Sequence, residues 1–138
     1  MRVTFEADER LNTDDRGRSL PTVIQLFQVR SIRRLEGADF AAVYQRPKEV
    51  FAEDLLRVDE LTLDPGQTLT REFPREAQAK QLVAVGVFRR PAGADWRAPL
   101  MLAEVSPERC RIGGTGGGGE DARFRFQDGR VEPVQASR

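Results

Sequence analysis

The stretch LNTDDRGRSLPTVIQLFQ, Leu11 to Gln28, sets the adjacent carboxylates of Asp14 and Asp15 beside the guanidiniums of Arg16 and Arg18 and the flexible Gly17, then turns apolar at Pro21. Oxygen ligands at this spacing suggest calcium, because Asn12, Asp14 and Gly17 fall on positions 1, 3 and 6 of an EF-hand frame. The frame fails twice: Arg16 stands at position 5, where an oxygen belongs, and Val23 replaces the bidentate glutamate of position 12. What remains is a polar loop whose arginines can make paired bonds to carboxylates and whose glycine lets the backbone turn sharply. Such a loop is either a connector or a docking surface.

Other candidates are weaker. Acidic pairs recur at Glu53 and Asp54, Asp59 and Glu60, and Glu120 and Asp121. Acid and base work in a glycosidase needs carboxylates facing each other across a cleft, which sequence neighbours do not do, so these pairs read as solvated surface. In GGTGGGG, Gly113 to Gly119, only the glycines suit a phosphate loop; Walker chemistry needs Lys and Ser or Thr next, and Glu120 and Asp121 would repel phosphate. The run reads as a mobile connection between two late strands. Cys110 lies between Arg109 and Arg111, but in an alternating strand those neighbours point to the opposite face, so it reads as a buried, inert thiol. Trp96 and Tyr44 could stack on a sugar; with aromatics at only 7% of the chain, Trp96 reads instead as a core or loop anchor.

Composition narrows the classes further. The chain has no histidine and one cysteine, which removes thiolate and imidazole zinc sites and the usual Ser-His-Asp and Cys-His machinery. Its 22 basic and 22 acidic residues cancel, so no global field draws nucleic acid; the clusters Arg33–Arg34, Arg89–Arg90 and Arg123/Arg125 read as solvated faces. No cofactor, metal or small-molecule substrate is expected. The longest apolar run, Leu82 to Phe88, has the length of a buried strand and not of a membrane span.

The elements that must position the loop follow from periodicity. Val3, Phe5 and Ala7 alternate with polar neighbours, predicting a first strand that ends near Leu11. Val23, Phe27 and Val29 on one side and Ile24 and Leu26 on the other predict an interior strand. Phe40, Val43 and Tyr44 after Asp39, and KEVFAEDLL after Pro47, predict a helical insert at about residues 31–58. Asp64-Pro65-Gly66 predicts a hairpin whose Leu61 and Leu63 face Leu69 and Phe73. QLVAVGVFRR predicts a second central strand, with Gly86 at a bulge or close approach, and PLMLAEV a further strand after the loop holding Trp96. ARFRFQDGRVEPV predicts Phe124 and Phe126 inward, Arg123 and Arg125 outward, and a turn at Asp128-Gly129. Seven or eight short strands in 138 residues predict one all-β domain, a β-sandwich spanning residues 1–138.

LNTDDRGRSLPTVIQLFQV, ADFAAVY, DLLRVDELTLDPGQ and LVAVGVFRRPAGADWR, in this order, resemble the TssJ family (SciN or VasD), the outer-membrane lipoproteins of the type VI secretion system, from about Leu11 to Arg97. The resemblance implies a transthyretin-like two-sheet β-sandwich with a small helical addition and no enzymatic activity. It implies a tether to the inner leaflet of the outer membrane through an acylated N-terminal cysteine, facing the periplasm. It further implies binding to the periplasmic C-terminal region of TssM, which helps assemble the trans-envelope complex. In the family the loop between the first two strands contacts TssM, which puts Thr13, Asp14, Asp15, Arg16, Gly17, Arg18 and Ser19 at the expected interface. No cysteine precedes Arg2 and Cys110 lies far too late, so the chain is expected to be a soluble form without its anchor. The glycine-rich C-terminal part matches nothing in the pattern. The alternative, a carbohydrate-binding or adhesive module, would need exposed aromatics side by side.

Overall fold

The structure, a computed structural model, describes residues 1–91, 93, 95–102 and 121–134. In β1 (Arg2–Ala7) the alternating Val3 and Phe5 are fully buried. The strand stops at Ala7 and does not run to Leu11, because the Asp8 carboxylate accepts the Arg10 N–H at 3.1 Å and bends the chain in an Asx-type turn. Beyond Pro21, β2 (Thr22–Val29) is an interior strand, paired antiparallel on one side with β3 (Leu55–Leu63) and on the other with β5 (Gln81–Gly86).

The segment between β2 and β3 carries the predicted helices. The Asp39 side chain caps α1 (Phe40–Gln45) by accepting the Ala42 N–H at 2.8 Å, and Pro47 opens α2 (Pro47–Phe51), where its missing N–H costs nothing. One 3-10 turn, Ala52–Asp54, follows. The helical part ends at Asp54, short of residue 58, because Leu55, Arg57 and Val58 are held as strand by Val29, Gln28 and Phe27 of β2.

Asp64-Pro65-Gly66 makes the predicted turn, with Gly66 at φ +75° and the Gln67 N–H donating to the Asp64 carbonyl at 3.0 Å. Its arms do not form a hairpin. β3 stays with β2, whereas β4 (Thr68–Glu72) pairs antiparallel with β1 in the other sheet. Leu61, Leu63, Leu69 and Phe73 all enter one core, but from separate sheets. After the Trp96 loop comes β6 (Arg97–Met101); β7 (Ala122–Gln127) and β8 (Arg130–Pro133) form the hairpin predicted around Asp128-Gly129.

Two four-stranded sheets result, ordered β4-β1-β7-β8 and β3-β2-β5-β6, with β1 and β7 parallel. Between them Phe5 meets Phe124, Phe126 and Phe73 at ring distances of 6.4, 6.2 and 6.3 Å. Burying each such ring contributes roughly 2–3 kcal/mol. On the outer face of the second sheet, Phe51 of α2 covers Phe27 at 5.4 Å, and Trp96 meets Phe40 of α1 edge-on at 5.3 Å. Trp96 is therefore a core anchor, as its context predicts. The strand directions gather the β1–β2, β3–β4, β5–β6 and β7–β8 connections at one end. Among the described residues no helix is long and apolar enough to cross a membrane. Cys110, Gly113 to Gly119 and Glu120 lie outside the described residues.

Candidate partner-binding loop

The β1–β2 loop is organised around Asp14. Its Oδ1 accepts the backbone N–H groups of Arg16 and Arg18, both at 2.9 Å, and its Oδ2 accepts Arg18 Nε at 3.2 Å. The Asp14 N–H donates to the Arg18 carbonyl and the Gly17 N–H to the Asp14 carbonyl, closing a tight turn that needs Gly17 at φ +78°. The Arg18 N–H is the strongest of the influences that lower the Asp14 pKa below the usual carboxylate range; the Arg16 N–H and the charge and side chain of Arg18 add to it, against some desolvation. At the base, the Ser19 hydroxyl accepts the Leu11 N–H at 3.2 Å and donates to the Glu9 carbonyl. The Asp15, Arg16 and Arg18 side chains are exposed, while Thr13, Asp14 and Ser19 are half-buried.

Two other connections hold this loop. The Thr13 N–H and hydroxyl donate to the two carboxylate oxygens of Asp128, in the β7–β8 turn, at 2.9 and 2.7 Å. Buried Asn12, at φ +49°, accepts the Arg89 N–H through Oδ1 at 2.8 Å, and Arg89 Nη1 donates to the Thr13 carbonyl at 3.3 Å. Arg90 makes an ion pair with Asp15. Asn12, Arg89, Arg90 and Asp128 therefore belong to the site beside the residues named from sequence. From sequence Asn12 reads only as a calcium ligand and Asp128 only as a turn former, because nothing local to either records what it touches.

A sequence model described as type VI secretion lipoprotein, with the names VasD, EvfM and TssJ, matches residues 1–113, which include the whole loop. The chain belongs to the type VI secretion lipoprotein family. No curated protein sequence matches this TssJ-family chain. Its fold is similar to that of Serratia marcescens Lip, a membrane-bound component of the type VI secretion system, at 23% identity and TM-score 0.75 over 97% of this chain and 96% of that one. It is also similar to the lipoprotein TssJ1 of Pseudomonas aeruginosa, at 18% identity and TM-score 0.74 over 99% and 96%. A chain in a structure described as the TssM C-terminal domain (869–1107) from EAEC matches at 20% identity and TM-score 0.77 over 97% and 99%.

Elsewhere in this TssJ-family chain two members of the acidic pairs, Asp54 and Asp59, hold arginines of their own fold. Asp54 is 4% exposed, a correction to its reading as solvated surface, and accepts Arg33 Nε and Arg34 Nε at 3.3 and 3.2 Å. Asp59 is gripped by both arms of Arg57, two residues away, and this pairing raises the Arg57 pKa. A cavity of about 400 Å³ at the opposite end is lined, among the described residues, by Arg75, Ala77, Gln78, Ala79, Lys80, Met101 and Leu102, with no carboxylate among them. Tyr44 is 39% exposed and stacks on Phe40, but Trp96 at 3% exposure offers no second stacking face.

Proposed function

We propose that this TssJ-family protein is a non-enzymatic structural adaptor of the type VI secretion membrane complex that binds the periplasmic C-terminal region of TssM through Thr13 to Ser19. In the same reading it works in the periplasm, held by an N-terminal lipid to the inner leaflet of the outer membrane. The observation that carries the proposal is a loop fixed from three sides, by Asp14 within it, by Asp128 and by the backbone of Arg89, whose tip nevertheless turns Asp15, Arg16 and Arg18 to solvent. A loop ordered before binding gives up little conformational entropy when a partner docks. Further support is that a chain of this fold occurs in the structure described by the TssM C-terminal domain.

Calorimetry with the periplasmic region of TssM from the same secretion system is expected to give micromolar or tighter binding. Replacing Asp14 to Arg18 by a short Gly-Ser linker should remove that binding while the thermal midpoint stays near that of the parent. Unchanged affinity in the linker variant would reject the assignment.

A further inference from the structure

We infer that the partner meets this end of the sandwich with a carboxylate-rich segment, received by Arg16 of the β1–β2 loop together with Arg89 and Arg90 of the β5–β6 loop. The inference rests on the docking role proposed above for the first loop and names the chemistry that loop selects.

Hydrogen-bond inventory at the tip decides the sign. Asp14 is taken up by the Arg16 and Arg18 N–H groups and by Arg18 Nε, so Arg18 is engaged inside the loop. Asp128 is taken up by Thr13. Asp15 faces two guanidiniums at once, Arg90 in direct contact and Arg89 Nη2 at 3.9 Å. Each guanidinium carries several N–H donors, so the single Asp15 carboxylate leaves most of those on Arg89 and Arg90 unused. Among the described residues the exposed Arg16 guanidinium meets no acceptor. Asp14, Asp15 and Asp128 are thus each engaged, while the Arg16 guanidinium and further N–H groups of Arg89 and Arg90 are left as donors.

The leftover donors belong to arginines, whose planar fork fits a carboxylate in two parallel bonds. The Asp15 pairs with Arg90 and Arg89 have side-chain exposures of 71%, 71% and 41%, so they are held weakly and exchange readily for a partner's carboxylate. Asp15 thus marks the place a partner's acid would take. An anionic membrane surface suits this end less well, since lipid-binding clusters gather uninterrupted basic residues, whereas here Asp14 and Asp15 are interleaved with the arginines.

The test is calorimetry against the periplasmic region of TssM at two salt concentrations, with thermal midpoints as folding controls. Arg16→Glu combined with Arg90→Glu touches no side-chain contact except that to Asp15, and should weaken binding about tenfold or more and flatten its salt dependence. Asp15→Asn, which removes the internal competitor, should leave affinity equal or tighter. If the double variant binds as tightly as the parent while the Gly-Ser loop variant does not bind, the docking role stands and the charge inference falls. Weaker binding by Asp15→Asn would likewise overturn it. Cosedimentation with phosphatidylglycerol vesicles supplies the last arm: vesicle binding lost in the double variant, with TssM affinity unchanged, would assign the arginines to lipid. Unchanged TssM affinity in the Gly-Ser variant would instead remove the docking role itself.

Discussion

Thr13 and Asp128, 115 residues apart, are joined by two hydrogen bonds of 2.9 and 2.7 Å, from the Thr13 N–H and hydroxyl to separate oxygens of one carboxylate. This contact ties the β1–β2 loop to the β7–β8 hairpin, itself held to β1 by the parallel β1–β7 pairing. The exposed tip is thereby referenced to the sheet as well as to the turn built around Asp14.

Asp128→Ala should free the loop while leaving the hairpin, since Gly129 supplies the turn at φ +73°. Loss of these exposed bonds costs roughly 1 kcal/mol of stability. Hydrogen exchange at Thr13 to Ser19 should accelerate, with β7 and β8 unchanged, and affinity for TssM should fall with it.

Asp14 titrates below the usual carboxylate range, chiefly because its charged form accepts the Arg18 N–H. Its contribution to loop order is therefore complete above the range where an unfolded aspartate titrates, and is lost as pH falls through the depressed folded value. Following the Asp14 carboxyl carbon by NMR should give a midpoint below the usual aspartate range, with the Gly17 and Arg18 amide shifts moving together with it.

Asp54→Ala should destabilise the helical insert without touching the partner surface. The buried carboxylate gathers Arg33 and Arg34, and its loss removes two charge-assisted bonds whose guanidiniums remain solvated, a cost of about 1–2 kcal/mol. A lower thermal midpoint with unchanged TssM affinity is the expected outcome.

Gly86→Ala should overpack the second sheet. A Cβ there would stand 2.4 Å from two ring carbons of Phe88, and that ring is 3% exposed and has no room to retreat. Denaturant unfolding should show a loss of about 1–3 kcal/mol. Because Arg89 and Arg90 follow Phe88 directly, loosening of the β1–β2 loop should accompany it, visible as faster exchange at Asn12 and Thr13.

The sequence by itself determined the local elements. Alternation in RVTFEA and ARFRFQ set which faces of β1 and β7 enter the core, and two-sided apolarity in TVIQLFQV and QLVAVG made β2 and β5 interior. Asp39, Pro47 and Asp128-Gly129 fixed a cap, a helix start and a turn, because each acts through bonds within a few residues. Tertiary structure decided which strands pair and what surrounds the loop. Asp64-Pro65-Gly66 can reverse the chain, yet whether its arms bond to each other depends on competition from β1 and β2, distant partners that a local turn does not record. Thr13 with Asp128 and Asn12 with Arg89 likewise meet only because four connections are brought to one end by the packing of two sheets. Short-range bonding is written in neighbouring residue types; contacts closed across long stretches of chain are selected by the burial of the whole core.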